Sequence, residues 1–287
     1  MIDFCNVSKV FNTDLLKKDF HALKSVTFNI PEGKTIGFLG ANGAGKTTSL
    51  KIAMDFIRPT SGEIKYNESL GKNKLEAFKN IGYLPERPFF YPHLTGLEFC
   101  HYMGALTDLS KAEIESQVNV WALKFKIDFA LNRHIKNYSK GMLQRIGFLA
   151  TLLHNPKLII LDEPLAGLDP IGRKELKDII VQLRDEGKTV FFSSHIISDV
   201  EEICDSVIFL KDGEVVFNGS VDQIMKDNIK PETRISYFDG DSLLTEVIPN
   251  NKKEEYLSKL LKDGKEIVSL QAEKPTLEEI FYNVKKN

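Results

Sequence analysis

The chain has 287 residues, of which 38 are basic and 40 acidic, so its formal net charge is −2. Hydrophobic residues make up 42% of it, so a chain of this length can build a substantial core, as one large domain with a small one or as two of middling size. The balance of charges excludes the global basic excess that is typical of nucleic-acid-binding proteins, and we expect no nucleic-acid partner.

The three cysteines, Cys5, Cys100 and Cys204, are far apart and show no CxxC spacing. This pattern favours free thiols in a reducing compartment. No apolar run approaches the ~20 residues that a membrane-spanning helix needs, and no basic region followed by an apolar stretch opens the sequence. We therefore expect a cytosolic polypeptide, which can still reach a membrane through a partner.

The N-terminal part of the chain predicts short strands and one helix. Alternating or continuous apolar runs predict strands at 2–7, 22–30, 34–40, 63–67 and 80–86. Residues 46–57 have helical periodicity, and the turn-forming sequence RPTSG that follows predicts the end of this helix.

The middle of the chain changes to helical patterns, at 93–106, 110–127 and 140–155. They predict a helical subdomain, about residues 93–155, inserted into an α/β core. Three later runs, rich in β-branched and aromatic residues, predict strands of a buried parallel sheet, and the helical patterns between them complete right-handed βα units. After about residue 225 the pattern predicts a small mixed α/β appendage.

The sequence GANGAGKTT, residues 40–48, follows a predicted strand and opens a predicted helix, the context that phosphate loops of the form G-x-x-x-x-G-K-[ST] require. Gly43 and Gly45 let the backbone curl so that its N–H groups point at phosphate oxygens. Lys46 supplies positive charge to the phosphates of ATP, and Thr47 a ligand for Mg²⁺. A glycine-rich turn that binds nothing does not explain this context. The predicted nucleotide-binding residues of the loop are Gly40, Asn42, Gly43, Ala44, Gly45, Lys46, Thr47 and Thr48.

The segment LIILDEP, residues 158–164, places two carboxylates at the end of a buried strand. Open α/β sheets bind their ligands at the carboxyl ends of strands. Asp162 is therefore a candidate to hold Mg²⁺ through a water, and Glu163 to orient or deprotonate the attacking water. An Asp-Glu pair alone is more often a solvated strand end, but next to a phosphate loop the catalytic interpretation is favoured.

A second candidate anion site lies at YSKGMLQR, residues 138–145. Ser139 opens a predicted helix, whose N-terminus attracts anions, and Gly141 lets a phosphate approach the backbone closely. This helix need not serve the ATP bound by residues 40–48. It can serve the ATP on another copy of the protein.

Four motifs in this order, GANGAGKTT, YSKGMLQR, LIILDEPLAGLD and SSH, resemble the ATP-binding cassette (ABC) family over roughly residues 2–225. The resemblance implies an α/β fold, a P-loop NTPase core with an N-terminal antiparallel β subdomain and the inserted helical subdomain. Residues 1–225 would form this ABC ATPase domain, and 226–287 the appendage. The resemblance also implies that two cassettes pack head to tail, each ATP lying between the loop of one and the helix of the other.

The same resemblance implies roles for individual residues. Ser139 and Gly141 clamp the γ-phosphate across the interface, and Asp169 lies along the dimer seam. His195 contacts the γ-phosphate, although a lone histidine after a strand is otherwise more often a structural hydrogen-bonding residue. The predicted catalytic residues are Glu163, His195 and Lys46.

An aromatic residue near the N-terminus stacks on adenine in this family. Phe11 is the first choice for that role. Phe20 is the alternative, because residues 13–21 resemble an insertion that blurs the register. Either aromatic residue could belong to the core instead.

Two positions depart from the family's pattern. The signature usually reads L-S-G-G-Q, and here Lys140 replaces its first glycine and adds positive charge. Glu86 stands where the family normally has glutamine. Its carboxylate can reach Mg²⁺ but adds negative charge near the γ-phosphate. The predicted Mg²⁺ residues are therefore Thr47, Glu86 and Asp162.

These inferences predict the ATPase subunit of an ABC transporter at the cytoplasmic face of the membrane, as a homodimer or as a heterodimer with a related cassette. A separate permease would contact residues 86–95, where Phe89, Phe90 and Tyr91 suit an interface unless they cover the core. The signature, Glu86 and the closing PTLEEIF resemble exporter-like, ABC-2-type cassettes. The alternatives are a soluble ABC ATPase acting on ribosomes or DNA, and a non-catalytic ATP-binding regulatory subunit.

Overall fold

The structure is a computed structural model and describes residues 1–12, 19–273 and 275–284, with side chains through residue 281. It contains two compact units, Met1–Gly219 and Ser220–Asn287, and each is described by itself. Residues 13–18 of the predicted insertion, and residues 274 and 285–287 of the predicted appendage, lie outside the described residues.

The N-terminal part of the first unit contains an antiparallel sheet. The first elements of the unit are β1 (Ile2–Phe11), β2 (Phe20–Ile30), β3 (Thr35–Leu39), α1 (Lys46–Ala53), β4 (Ser61–Tyr66), α2 (Lys74–Lys79) and β5 (Ile81–Leu84). Strand β1 pairs antiparallel with β2 on one side and with β4 on the other. This sheet confirms the antiparallel part of the predicted fold.

Helix α1 is shorter than the sequence predicts, because it ends at Ala53 and not at residue 57. Asp55 has a positive φ of 59°, a left-handed conformation that a right-handed helix cannot include. Its N–H donates instead to the carbonyl oxygen of Ile52 at 3.0 Å. The apolar residues that extend the helical periodicity therefore belong to a turn.

A six-stranded sheet forms the centre of the first unit. Its further strands are β6 (Leu158–Leu161), β7 (Thr189–Ser194), β8 (Ser206–Lys211) and β9 (Glu214–Ser220). The strand order is β5-β6-β7-β3-β8-β9, and β3 pairs parallel with both β7 and β8. All residues of β3, β6 and β7 are buried, as expected of parallel strands covered on both faces. Strand β9 follows β8 after only two residues, a connection that antiparallel neighbours alone permit.

Five further α-helices lie in the described part of the first unit: α3 (Gly96–Ala105), α4 (Lys111–Lys124), α5 (Lys140–Leu152), α6 (Pro170–Asp185) and α7 (Ile197–Ile203). The first three lie between β5 and β6, within the range 93–155 that the sequence predicts as helical. Thr95 and Ser110 begin α3 and α4 with reciprocal caps, in which Glu98 and Glu113 accept hydrogen bonds from the capping residues.

Aromatic side chains join the two sheets of the first unit. Phe4 and Phe28 of the antiparallel sheet stack with ring centroids 4.1 Å apart. Phe28 also contacts Phe38 of β3 and Phe191 of β7, at 5.5 and 6.1 Å. All four rings are buried, and burying each contributes about 1.5–3 kcal/mol. This packing fixes β2 against the strand that leads into the phosphate loop.

The second unit is a small α/β domain with the elements α8 (Val221–Asp227), β10 (Glu232–Asp239), β11 (Ser242–Pro249), α9 (Lys253–Lys262), β12 (Glu266–Ala272) and α10 (Leu277–Val284). Its three strands pair antiparallel in the order β11-β10-β12, and Leu260 of α9 packs on Ile235 and Ile248. The predicted division at residue 225 falls inside α8. None of the helices in the described parts of the chain is long and apolar enough to span a membrane.

Candidate nucleotide-binding site

The loop between β3 and α1 leads into an uncapped helix. Gly45, which precedes α1, has a φ of 110°, and a Cβ there would lie 2.5 Å from the carbonyl oxygen of Ala22. Only glycine fits this position. No described side chain caps α1 and its first turn has no acidic residue, whereas hydroxyls cap α3 and α4. The N–H groups of α1 are therefore left for an anion, which the helix dipole also attracts.

Lys46 lies across this loop and is only 5% exposed. Its Nζ donates to the carbonyl oxygens of Gly40 and Ala41, at 2.8 and 3.3 Å. The same ammonium forms an ion pair with Oε1 of Glu163, at 3.2 Å. A buried ammonium needs such partners, so the loop holds a positive charge close to the uncapped start of α1.

Asp162 follows β6 and is 1% exposed. Burial raises the pKa of its carboxyl, while the nearby hydroxyls of Ser193 and Thr47 act to lower it. Ser193 Oγ donates to Asp162 Oδ1 at 2.6 Å. The other oxygen, Oδ2, is buried and accepts no hydrogen bond from the described residues. An orphaned carboxylate oxygen beside a threonine hydroxyl fits a hard cation such as Mg²⁺.

Glu163 is held in a fixed position between Lys46 and His195. Its backbone has a positive φ of 51°, a conformation that costs about 1 kcal/mol or more for a residue with a Cβ. Its N–H donates to Ser193 Oγ at 2.8 Å, and its Oε2 lies 2.8 Å from His195 Nδ1. Because a carboxylate only accepts, Nδ1 must carry the proton of this hydrogen bond.

A cleft of about 350 Å³ brings most of the predicted residues together. The predicted residues that line it are Asn42, Gly43, Gly45, Lys46, Thr47, Thr48, Glu86, Glu163 and His195. Gly40 and Ala44 belong to the same loop, and Asp162 is joined to the lining through Ser193. Glu86 is exposed at the cleft, and its charge contributes to the raised pKa of Asp162.

The two aromatic candidates occupy different places. Phe20 lines the cleft and is 52% exposed. Phe11 lies outside the cleft, although it pairs with Phe20 across β1 and β2. The Nζ of Lys9 lies 5.0 Å from the centroid of the Phe11 ring, so this ring already has a cationic neighbour. The structure thus places the alternative residue, and not the first choice, beside the phosphate loop.

Ser139, Gly141 and Asp169 lie in a second cleft, of about 590 Å³. Ser139 is the N-cap of α5 and its Oγ accepts the N–H of Met142 at 3.2 Å. A Cβ at Gly141 would meet nothing closer than 3.8 Å, so the helix start is open to a ligand. Within one chain, Ser139, Gly141 and Asp169 do not line the cleft that contains Lys46, and the two clefts have no lining residue in common.

The second cleft carries positive charge. Lys126 and Arg145 line it and both contact Glu175, at 2.8 and 2.6 Å. Lys126 first, and then Arg145, hold the pKa of Glu175 below its ordinary value. Lys140 is a third cation, and its side chain lies against Gly167 inside the cleft. The charge and the open start of α5 both favour an anion.

Two residues that the sequence analysis did not select also connect the site. Ser193 bridges Asp162 and Glu163, and its signal was a serine inside the apolar run of β7. Gln144 of α5 is buried, and its Nε2 donates to the carbonyl oxygen of Pro164 at 2.8 Å. This bond joins the helix of the second cleft to the segment that carries Glu163.

Comparison with known proteins identifies the family. The family model described as ABC transporter matches residues 23–166, which include the phosphate loop, the start of α5 and the Asp162–Glu163 pair. The chain belongs to the ABC transporter family. As a member of this family it is an ATP-binding and ATP-hydrolysing subunit of a transporter with the α/β fold of a P-loop NTPase.

Individual ABC proteins resemble the chain over most of its length. The ABC transporter ATP-binding protein sll0415 of Synechocystis sp. is 38% identical over 232 residues, which cover 78% of this chain and 64% of that protein. The bacitracin transport ATP-binding protein BcrA of Bacillus licheniformis is 37% identical over 230 residues, 78% of this chain and 74% of BcrA. A dimeric post-hydrolysis structure of the ATP-binding cassette MJ0796, bound to ADP and Pi, has a TM-score of 0.69 at 26% identity and covers 77% and 99% of the two chains.

Proposed function

We propose that this ABC subunit drives a separate membrane permease, from the cytoplasmic face of the membrane, by closing an ATP-dependent dimer of cassettes. The observation that carries the proposal is the separation of two anion sites in one chain. Lys46 and the start of α1 lie in one cleft, and Ser139, Gly141 and the start of α5 in another. Two copies packed head to tail would complete both sites.

Several side chains at the first cleft have a role in this proposal. Lys46 and the N–H groups of α1 bind the phosphates, and Phe20 stacks on adenine. Thr47 and Asp162 would hold Mg²⁺, with Glu86 as a further carboxylate at the cleft, and a bound ion would supply positive charge to the transferring phosphoryl group. Glu163 orients the attacking water. His195 senses the γ-phosphate, since it is exposed at the cleft and hydrogen-bonded to Glu163.

The second cleft supplies the closing contact of the proposed dimer. Ser139 and Gly141 bind the γ-phosphate of ATP held by the other copy, and Asp169 lies beside them at the seam. Lys140 adds a charge to this contact. ATP then binds the closed dimer more tightly than it binds separate chains. This difference in affinity shifts the equilibrium from separate chains to the closed dimer. Hydrolysis removes that differential affinity and opens the dimer.

An exposed aromatic cluster supports the permease contact. Phe89 is 77% exposed and its ring packs edge-on against Tyr91, with centroids 5.3 Å apart. Tyr91 in turn contacts Tyr102 of α3, at 5.1 Å. Phe90 is more buried and packs on Phe99. Exposed, mutually packed aromatic side chains are typical of protein interfaces. The likeness to BcrA, a bacitracin transport protein, supports export as the direction.

The trap variant Glu163→Gln tests the proposed dimer. Glutamine keeps the shape of the side chain but cannot act as a base, so we expect ATP hydrolysis to fall at least about a hundredfold. With Mg²⁺-ATP the variant should form a stable dimer. Phosphate release measures the first effect, and size-exclusion chromatography with light scattering the second.

Two controls accompany this variant. Glu202→Gln changes a carboxylate that is paired with Lys177 on the surface and should hydrolyse ATP normally. Adding Ser139→Arg to the trap variant should remove the dimer, because arginine fills the place of the γ-phosphate. A Glu163→Gln protein that binds Mg²⁺-ATP and yet stays monomeric, even beside its membrane partner, contradicts the proposal.

A further inference from the structure

The three-stranded sheet of the second unit has two edges that differ in their protection. Strand β12 has a register shift opposite Ser236 and Tyr237, and it begins with Glu266 next to Lys265. A bulge and charged residues are what natural proteins use to prevent an edge strand from pairing with another chain. Strand β12 is therefore a guarded edge.

Strand β11, the other edge, has no register shift, and Glu246 is its one charged residue. Its eight residues pair with β10 in one unbroken register, from Ser242 opposite Asp239 to Pro249 opposite Glu232. Leu243 and Val247 are 56% and 46% exposed. Within the described part of the second unit no strand pairs with its outer side. A long and regular edge strand with exposed apolar side chains is a template for strand addition.

The one charge of β11 does not guard this edge. The carboxylate of Glu246 accepts hydrogen bonds from the hydroxyls of Tyr237 and Tyr256, at 2.8 and 2.5 Å. Tyr256 belongs to α9, so Glu246 is directed to the face that the helix covers. The hydroxyls hold its pKa below the ordinary value, with Tyr256 as the larger cause. The carboxylate is thus engaged inside the unit.

We propose that β11 pairs antiparallel with β11 of a second copy of this chain, about a twofold axis at Thr245. Such pairing joins two three-stranded sheets into one of six strands. The occupant is a second copy because the edge is complementary to itself. In a register centred on Thr245, Leu243 of each chain lies opposite Val247 of the other, and the two Thr245 side chains face each other, all on one face of the sheet.

Twofold axes at the residues next to Thr245 give less favourable pairing of side chains. If the twofold axis moves by a whole residue, the exposed faces of the two β11 strands stay on the same side of the joined sheet. If it moves by half a residue, the exposed face of one strand lies next to the helix-covered face of the other. An axis at Glu246 places two like charges directly opposite each other, which destabilises a sheet. An axis at Leu244 leaves Val247 beyond the end of the partner strand. Pairing of β11 with a guarded β12 edge would also leave an open chain of copies, whereas the twofold contact closes.

This contact goes beyond the proposed function because it needs no nucleotide. The proposed ATP-dependent dimer uses the phosphate loop and α5, and the β11 contact uses neither. The full chain is therefore expected to dimerise without nucleotide, and to do so equally when Lys46→Ala removes the phosphate-loop cation. Failure of one contact leaves the other measurable.

Cysteine cross-linking of the full-length Lys46→Ala protein without nucleotide tests the register. Directly opposed residues of antiparallel strands have Cα atoms about 4.5–5.5 Å apart, within disulfide range. Thr245→Cys should give a covalent dimer on mild oxidation. Ser269→Cys is the matched control, because Thr245 and Ser269 flank Ser236 on the two edges of the sheet. We expect at least about tenfold more cross-linked dimer from Thr245→Cys. Equal yields, or none from either, would overturn the proposal.

Sedimentation of charge variants gives a second test that needs no oxidation. Thr245→Lys places two ammonium groups across the axis and should raise the dissociation constant of the nucleotide-free dimer roughly tenfold. Ser269→Lys should leave it unchanged. A wild-type chain that sediments as a monomer at every concentration, or a dimer unaffected by Thr245→Lys, contradicts the β11 contact. In either case the ATP-dependent dimer of Glu163→Gln remains to be judged separately.

Discussion

Ser193 fixes the relative position of two carboxylates that have different chemical tasks. Its hydroxyl donates to Asp162 and accepts from the backbone N–H of Glu163. Without it, Asp162 would lose the 2.6 Å hydrogen bond to its Oδ1, and the strained backbone of Glu163 would lose a restraint. In the proposed site, Asp162 holds the ion and Glu163 orients the water. Ser193 therefore sets the distance between the ion and the water without contacting the ion or the water. It is a positioning residue.

Ser193→Ala should therefore slow turnover more than it weakens ATP binding. A hydrogen bond to a charged group contributes about 1.5–3 kcal/mol, so we expect kcat to fall about ten- to hundredfold while KM for ATP changes little. Steady-state ATPase kinetics measure both constants. Ser194→Ala is the matched control, since Ser194 is also buried in β7 but bonds to the backbone of Ile196. Equal losses in both variants would indicate a structural effect only.

At the scale of elements, the N-termini of α1 and α5 differ from those of α3 and α4 in their capping and in the charge of their first turns. Helices α3 and α4 satisfy their first N–H groups with reciprocal caps from their own chain. Helix α1 has no side-chain cap, and α5 has a serine cap without an acidic residue in its first turn. The helix dipole at these two starts is not offset by a carboxylate, which suits phosphate binding.

A pair of capping variants separates stability from function. Ser139→Ala and Ser110→Ala each remove a hydroxyl that accepts the N–H three residues on, and each should cost about 1 kcal/mol of stability. Thermal unfolding should show similar losses. ATPase activity should fall only in Ser139→Ala, because only Ser139 belongs to the proposed dimer seam. Loss of activity in both variants, or in neither, would count against that placement.

The elements that the sequence predicted share a local cause. The strands β3, β6 and β7 each contain a short apolar run, and the phosphate loop is identified from consecutive residues, so neither needs tertiary information. The missed elements α2, β9 and α8 are short, with few apolar residues. Their signals were local as well: Asn73 caps α2, Ser220 caps α8, and the Asp-Gly pair before β9 is a hairpin turn.

The choice between Phe11 and Phe20 could not be made from the sequence. The two residues are opposite each other across β1 and β2, so which one reaches the cleft depends on how the strands lie over the phosphate loop. That placement comes from the packing of Phe28 against Phe38 and Phe191, a contact between residues distant in sequence. The separation of the two clefts likewise follows from tertiary structure.

At the scale of the whole molecule, the first unit combines the candidate nucleotide cleft, the second cleft and an exposed aromatic cluster. The bond between Gln144 and the carbonyl oxygen of Pro164 links the second cleft to the segment that carries Glu163. The aromatic cluster begins three residues after Glu86, which lines the first cleft. A permease seated on the cluster would therefore contact residues that are close in sequence to Glu86, at the lining of the first cleft.

Phe89→Ser tests the proposed permease contact. Removing this exposed ring should reduce the amount of permease that co-purifies with a tagged chain from detergent-solubilised membranes at least about tenfold, as for a central interface aromatic. The ATPase activity of the isolated chain should not change. Leu123→Ser, on α4, is the control because its side chain is 67% exposed and is not part of the cluster. Equal recovery with both variants would contradict the contact.

The division of the two anion sites between separate clefts has a genetic consequence. If every working pocket is assembled from parts of two polypeptides, a faulty copy also disables part of the healthy copy with which it pairs. In a cell that makes intact and defective versions together, a chain defective at one of the two sites would then disable one pocket of every dimer that it forms with an intact chain.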